Sequence, residues 1–492
     1  MERDERESAT GALHRLTSYI PERPWDEPAD DPRVRQDVVS CDPERRTPTV
    51  KSYGSELART ALPRELPAST EAALAVLSGM SQVAAAPVDL AGLSRLLFLS
   101  AGVVRTAERE EGTMLYRAAG SAGNRFPLDL YVAIPEGAGV DLPAGVHWYD
   151  AVEHALVRIA PPPAEPGGAP TVVVTGIPWR TGWRYAERGY RHIYWDAGTM
   201  LSQLLALADS AGFAPRLFSR FPDVAVSELV GADRVQEWPV AVVSLGEGAP
   251  SITATGAAVA GVIDANAVEF PLVTAAQHAG DLDSLGEPWD LDSAAAAGEA
   301  APESATVDQV ITKRSSQRRM DPARGLPLET LRTSLTLALR GIDLPHWIAV
   351  HDVAGLPAGL YRWPDLDRPL REAKPGELRA ETYRVCLDQD LGRDAAFVVI
   401  AATDVAKLSD REYREAQLAS GLVEGRLHLA AYALGASATG MTFLDSDLPA
   451  FLGDPEGPHG LIFTCVGVPG NTSKPAGLPG APTLIRPVRP RE

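Results

Sequence analysis

Leu142-Pro143-Ala144-Gly145-Val146-His147-Trp148-Tyr149 recurs 214 residues later as Leu356-Pro357-Ala358-Gly359-Leu360-Tyr361-Arg362-Trp363. More matches follow in the same order. Asp196-Ala197-Gly198 leads into an apolar run ending at Ala211-Gly212, and Ala419-Ser420-Gly421 into one ending at Leu434-Gly435, both glycine pairs 223 apart. Leu229-Val230-Gly231 matches Phe451-Leu452-Gly453 at 222. Each copy closes on a short apolar run, Val240 to Leu245 and Leu461 to Val466, followed by Gly246 or Gly467. A Leu-Pro-Ala-Gly turn is common by itself, and alanine-rich helices resemble one another. Shared order with slowly drifting offsets is what marks a duplication.

The repeat divides the chain. Residues 1–66 are polar and proline-spotted and read as an arm. Residues 67–250 form the first copy and 306–470 the second. Residues 286–305, with Ala294-Ala295-Ala296-Ala297-Gly298-Glu299, read as a linker. The tail, 471–492, is rich in Pro and Gly and should be extended. Each copy is expected to run helix, short strand, irregular middle, strand, long helix, strand. Expected strands include Leu130 to Ile134, Thr171 to Thr175 and Ala396 to Ala401. Ser409-Asp410-Arg411-Glu412 has the form of a capping box and starts the clearest helix. Strands mixed with long helices indicate an α+β fold.

Composition narrows the partners. A net charge of −19 argues against nucleic acid bound through phosphates. Cys41, Cys386 and Cys465 have neither metal-like spacing nor a disulfide framework, which fits a reducing cytoplasm. The start, Met1-Glu2-Arg3-Asp4-Glu5-Arg6-Glu7, is too acidic for a signal peptide. The longest apolar stretches are interrupted, for example by Arg95, so no membrane span is expected.

Two segments carry chemistry. Arg314, Ser315, Ser316 and Arg318 follow a predicted helix, Val307 to Lys313. Two guanidiniums and two hydroxyls so close together can clamp a phosphate, since Arg offers forked charge-assisted donors. Alone, such a cluster reads as a solvated surface. Pro87 matches Pro327 at an offset of 240, which puts Leu74 and Ser78 opposite Arg314 and Arg318; no Lys or Arg occurs between Arg64 and Arg95. One copy therefore has the clamp and the other lacks it. The middle segment is reversed. Arg117-Ala118-Ala119-Gly120-Ser121-Ala122-Gly123-Asn124-Arg125-Phe126-Pro127 precedes a strand in the first copy only. Its small residues let backbone approach a flat ring, and amides with Asn124 can bond the ring's polar edge.

These residues resemble the nitroreductase superfamily, whose dimers bind flavin mononucleotide (FMN) at the subunit interface. Arg314 to Arg318 looks like the family's phosphate motif. Ser121, Ala122, Gly123 and Asn124, with Arg117 before them, look like the loop that covers the ring, with Gly120 where the family often has Pro. Gly440-Met441 sits where the family supplies a third contact. The resemblance implies two fused nitroreductase-like domains forming an intrachain pseudo-dimer, with one working FMN site and one degenerate site.

A narrower resemblance is to the SagB-type azoline dehydrogenases. It rests on Leu13-His14-Arg15-Leu16-Thr17-Ser18-Tyr19, on Leu62-Pro63-Arg64, and on Arg184-Tyr185 followed by Glu187-Arg188-Gly189-Tyr190-Arg191 and Asp196-Ala197-Gly198. Such enzymes oxidise thiazoline or oxazoline rings of ribosomally made peptides to thiazoles or oxazoles, beside a cyclodehydratase. The resemblance implies an azoline-bearing precursor peptide as substrate and Tyr185 and Arg184 as catalytic residues. The family commonly has Lys before that Tyr. Arg cannot serve as a base near pH 7. Either Tyr185 acts as base with its pKa lowered by Arg184, or Arg184 fixes the substrate while water or another residue takes the proton. His192 is expected to be structural or exposed. Two other functions fit the residues less closely: a nicotinamide-dependent reductase of nitroaromatics or quinones, and a non-catalytic scaffold for a cyclodehydratase.

Overall fold

The structure is a computed structural model that describes residues 7–110, 112–291, 305–374 and 376–488. The chain opens with α1 (Ala9–Leu16), β1 (Arg59–Ala61), α2 (Ala73–Leu77) and α3 (Leu90–Ala101). A hairpin follows, β2 (Val103–Arg109) and β3 (Gly112–Arg117), then β4 (Leu128–Ile134), β5 (Gly145–Asp150), β6 (Ala155–Ala160) and β7 (Thr171–Gly176). Next come α4 (Pro178–Tyr185), the long α5 (Gly189–Asp209), β8 (Pro215–Phe218), α6 (Asp223–Val230), β9 (Trp238–Leu245) and α7 (Pro271–Ala279). The second part runs α8 (Val307–Lys313), β10 (Leu326–Pro327), α9 (Leu328–Ala338), β11 (His346–Val350), β12 (Val353–Ala354), β13 (Gly359–Arg362) and β14 (Arg371–Glu372). It continues with α10 (Glu377–Val385), α11 (Asp390–Asp394), β15 (Phe397–Thr403), α12 (Asp410–Ala433), β16 (Ser437–Met441), α13 (Leu448–Phe451), β17 (His459–Gly467) and β18 (Thr483–Leu484).

Two antiparallel sheets carry one strand order. The first is β1-β6-β5-β4-β7-β9-β8 and the second β14-β13-β11-β15-β17-β16. Leaving β1 aside, the two correspond strand for strand, and the repeated Leu-Pro-Ala-Gly leads into β5 and β13. The middle of each copy, expected to be irregular, instead holds two further strands, β5 and β6 or β13 and β14. β5 and β6 are covered on both faces, so no alternation of polar and apolar residues marks them, and β14 is only the pair Arg371 and Glu372.

The two long helices pack against each other at the centre. Ser409 caps α12 as the capping box requires: its hydroxyl accepts from Glu412 N–H at 3.3 Å, and the Glu412 carboxylate accepts from Ser409 N–H at 2.8 Å. The repeated glycines explain the crossing. A Cβ on Gly198 of α5 would lie 2.3 Å from Leu422 N, and one on Gly421 of α12 would lie 2.5 Å from Trp195 O. No side chain fits between the backbones, so the helices meet in direct contact. A shared apolar cluster continues around them, from Leu74 and Leu207 to Val310, Leu337 and Leu429.

Three segments pack more closely than composition suggests. The arm does contribute to the core: Leu13 is fully buried among residues of both α5 and α12. The polar residues of α1 hide that face, since His14 is buried by bonding Tyr413 Oη at 3.0 Å. The expected linker begins as packed chain, with Gly286 N–H on Arg220 O (3.0 Å) and Trp289 N–H on Leu217 O (2.8 Å); its alanine run lies outside the described residues. The tail is docked, β18 pairing parallel with β2 beside β3. Among the described residues no helix is long and apolar enough to cross a membrane.

Candidate active site

A single cavity of about 820 Å³ brings the sequence motifs together. That is within the roughly 300–1,000 Å³ of cofactor and ligand sites. Every residue proposed for the site lines it: Arg184 and Tyr185; Arg117 and Ser121 to Asn124; Arg314, Ser315, Ser316 and Arg318; Gly440 and Met441.

The clamp begins at the C-cap of α8, where Arg314 turns extended (φ −60°, ψ 145°). Its guanidinium is buried. One nitrogen donates to Ala118 O and another to His428 Nδ1 at 3.3 Å, and Nε has no partner. Among the described residues it makes no ion pair. Burial pulls its pKa down to about 10. A buried cation facing a cavity without a counterion is a site for an anion. Ser315 Oγ accepts from Ser473 Oγ at 2.9 Å, and Arg318 is exposed at the opening. Helix ends align Arg314 with Ser78, the C-cap of α2, rather than with Leu74, which lies inside α2. The proline offset misplaced this because the segment between helices differs in length between the copies.

The two half-motifs meet at Gly120. A Cβ built there would sit 3.2 Å from Ser316 Oγ and 3.5 Å from Arg314 Nη1. The loop beyond it is held by Asp196 of α5, which accepts from Ser121 Oγ at 2.6 Å and from Ala122 N–H at 3.0 Å. Gly123 adopts the left-handed region (φ +59°), and a Cβ on it would meet Tyr185 Oη at 3.0 Å and Arg184 Cδ at 2.6 Å. This glycine lets the loop lie directly on the Arg184-Tyr185 pair. Asn124 lines the cavity, but its amide nitrogen donates to Leu115 O at 2.9 Å instead of being open to a ring edge.

Tyr185 ends α4, and Ala186 after it takes φ 45°, ψ −136°. That strained turn sends the chain directly into α5. It stacks the Tyr185 ring on His192 at 4.1 Å between centroids. His192 is buried, not exposed, and both of its ring nitrogens lack partners. Burial, reinforced by Arg188, Arg191 and Arg184, holds it neutral. Arg184 lies over the Tyr185 ring at 5.5 Å and donates to Cys41 Sγ at 3.5 Å. The expected lowering of the Tyr185 pKa does not result. Burial raises it by more than the charge and hydrogen bond of Arg184 lower it, so the phenol lies above its ordinary value.

Two carboxyls at the cavity were not singled out from the sequence as site residues. Burial raises Asp196 to about 7, against the bonds from Ser121 and Ala122. Burial, with the charge of Asp196, raises Glu424 to about 8. Glu424 explains Gly440, since a Cβ there would stand 2.0 Å from its carboxyl oxygen. The signal was present in Gly440 and in Asp196 of the repeated Asp-Ala-Gly, but only the fold turns both toward one space. Met441 contributes a buried side chain to the wall.

The counterpart position in the other copy is closed. Arg340, in the loop before β11, donates to Leu77 O at 2.9 Å, and a Cβ on Gly79 would meet its Nη1 at 2.5 Å.

The fold is that of nitroreductases. A solved structure described as a putative nitroreductase from Anabaena variabilis superposes with a TM-score of 0.70 at 24% identity, covering 94% of this chain and all of that one. The likeness therefore spans both halves. In sequence the chain is similar to a protein of Methanocaldococcus jannaschii named "Putative nitroreductase MJ1384", 27% identical over 175 residues, 32% of this chain and 81% of that protein. A chain of the E. coli microcin synthetase McbBCD complex aligns over 32% of this chain at a TM-score of 0.27, too partial to carry an argument. No family model matches the chain.

Proposed function

We propose that the chain is an FMN-dependent oxidoreductase that oxidises thiazoline or oxazoline rings of a ribosomally made peptide to thiazoles or oxazoles. In this reading two nitroreductase-like domains, 67–250 and 306–470, form an intrachain pseudo-dimer with one flavin site between them. The observation that carries it is the meeting of the phosphate clamp of one half with the small-residue loop of the other across Gly120.

The residues present fit FMN. Arg314 is a buried cation without a counterion, Arg318 and Ser316 add donors, and residues 120–123 leave room for a flat ring. When bound, FMN supplies the hydride acceptor and is reoxidised by oxygen. The chain's own residues then have three tasks. Arg314, Ser315, Ser316 and Arg318 hold the phosphate, with Arg117 behind the loop and Gly440 and Met441 on the far wall. The loop from Ser121 to Asn124 excludes water from one face. Tyr185 and Arg184 address the substrate, Arg184 orienting its carbonyl. Aromatising the ring also requires that the Cα proton leave to a group near neutral strength. Tyr185 rests as a neutral phenol, so it serves this step as a hydrogen-bonding partner unless substrate binding deprotonates it. The two cavity carboxyls, at about 7 and about 8, have a suitable strength to receive the proton through water.

The test is direct. Flavin-loaded enzyme incubated with an azoline-bearing peptide and oxygen should remove two mass units from the peptide. A second reading, a nicotinamide-dependent reductase of nitroaromatics or quinones, follows the names of the similar proteins. Rapid hydride exchange with reduced nicotinamide and no reaction with azoline peptides would favour it. A cyclodehydratase working beside the enzyme is the partner that the substrate chemistry implies.

A further inference from the structure

We propose that the cavity-facing side of the β2–β3 hairpin, with the tail strand beside it, is a docking strip for an acidic, extended stretch of the peptide substrate. This rests on the peptide-oxidising reading above. The chain has a net charge of −19, yet seven arginines and only two carboxyl residues line its cavity. Five of those arginines have tasks already. Arg314 and Arg318 serve the clamp, and Arg184 serves Tyr185. Arg105 and Arg117 donate to backbone carbonyls, of Lys474 at 2.8 Å and of Thr49 at 2.9 Å. Arg109 and Arg486 remain. Both line the cavity, both are exposed, and neither has an ion pair or hydrogen bond among the described residues.

The hairpin geometry sorts the charges. Side chains alternate along a strand, so Arg105 and Arg109 face the cavity while Glu108 and Glu110 point away. On β3 the same face carries Met114 and Tyr116, which also line the cavity. The tail runs parallel to β2, with Thr483 beside Arg105 and Leu484 beside Thr106, and Ile485 N–H donates to Thr106 O at 2.8 Å. Arg486 lies just past the end of β18 and lines the same cavity as Arg109, with Ile485 and Val488 on either side of it in the tail. β3 pairs only with β2 among the described residues; on its other edge Asn124 Nδ2 holds Leu115 O, which leaves the outer part of that edge, from Gly112 to Met114, for an extended chain. Two unpaired cations, an apolar and aromatic wall and a strand edge at one opening suit acidic side chains on an extended backbone. Such rim charges act mainly through association and salt dependence.

The probes are synthetic thiazoline peptides that differ only in three Glu, three Gln or three Lys on one side of the ring, given to FMN-loaded enzyme. The Glu peptide should have a KM about tenfold below the Lys peptide near 0.01 M salt. The gap should narrow near 0.15 M, where the Debye length falls from about 30 Å to about 8 Å. The double variant Arg109→Glu/Arg486→Glu should reverse the preference at unchanged flavin content and thermal midpoint, and Arg109→Lys/Arg486→Lys should keep it. Equal KM values for all three peptides would overturn the proposal. So would a double variant that alters only the KM of NADPH. If no peptide is oxidised, the functional reading fails by itself. Fluorescence anisotropy of the unreacted peptides then decides the strip, and equal affinity for the Glu and Lys peptides rejects it.

Discussion

At the scale of residues, the proposed function divides the site into anion binding and proton chemistry. Arg314 is buried and lacks a counterion, whereas Arg318 is exposed, so the two should not contribute equally. Arg318→Ala should weaken FMN binding about tenfold, the equivalent of the ~1.5–3 kcal/mol of a charge-assisted hydrogen bond at its lower end. Arg314→Gln should weaken it further, and flavin released on dilution measures both. Tyr185→Phe keeps the ring on His192 and removes the hydroxyl. It should leave FMN bound while slowing azoline oxidation by about 10²–10³, the cost of losing one positioned hydrogen-bond donor. Arg184→Lys should retain substantial turnover and Arg184→Ala should lose more. The pH dependence of kcat/KM identifies the proton acceptor: a limb near 7 to 8 assigns a cavity carboxyl, and a limb above 10 assigns the phenol. Turnover like wild type by Tyr185→Phe would reject the residue.

The cavity carboxyls also predict how stability varies with pH. In the flavin-free folded state Asp196 and Glu424 keep their protons to about 7 and about 8, well above their ordinary values of 3.8 and 4.5. Between those limits the folded state binds more protons than the unfolded one, so these groups make stability fall as pH rises from about 4 to about 8. Urea midpoints at pH 5 and pH 8.5 should differ less in Glu424→Gln than in wild type. An unchanged difference would show that Glu424 ionises normally.

At the scale of elements, the crossing of α5 and α12 depends on glycine. Alanine is the better helix former by about 0.8–1.0 kcal/mol, so propensity alone would make Gly198→Ala and Gly421→Ala stabilising. The 2.3 Å and 2.5 Å approaches to backbone atoms predict the opposite. Each should destabilise by roughly 1–3 kcal/mol through overpacking and weaken FMN binding as the clamp and loop move apart. Thermal unfolding with flavin titration checks both. The arm and tail matter to the same region, because Tyr19 and Trp25 from one and Asn471 and Ser473 from the other line the cavity.

At the scale of the whole molecule, the proposed flavin site has a closed counterpart. Arg314 reaches from the second copy to Ala118 O of the first, and Arg340 reaches likewise to Leu77 O, but Arg340 packs its guanidinium against Gly79 beside the C-cap of α2. Flavin released from fully loaded protein should therefore be one per chain, and a ratio near two would reject the split-site reading. Segments 1–291 and 305–492 expressed separately should associate, since α5, α12 and the apolar cluster around them join the halves. Halves that stay monomeric and indifferent to each other would show that the duplication is not an interface pair.

Much of this was legible from residue order alone. A duplicated α+β chain, the clamp after α8 and the small-residue loop before β4 follow from repeated spacing and from the chemistry of Arg, Ser and Gly. Those signals are local, so they survive in one dimension. The rest was settled by tertiary structure. Whether Arg184 could acidify Tyr185 depends on burial against charge, and burial is a property of the packed chain. The same holds for Asp196 and Glu424, which are ordinary acids until α5 and α12 bury them beside one cavity. Arg340 and Arg314 are the same residue type, and only the packing of the two halves ties Arg340 to Leu77 O beside Gly79 and leaves Arg314 lining the cavity.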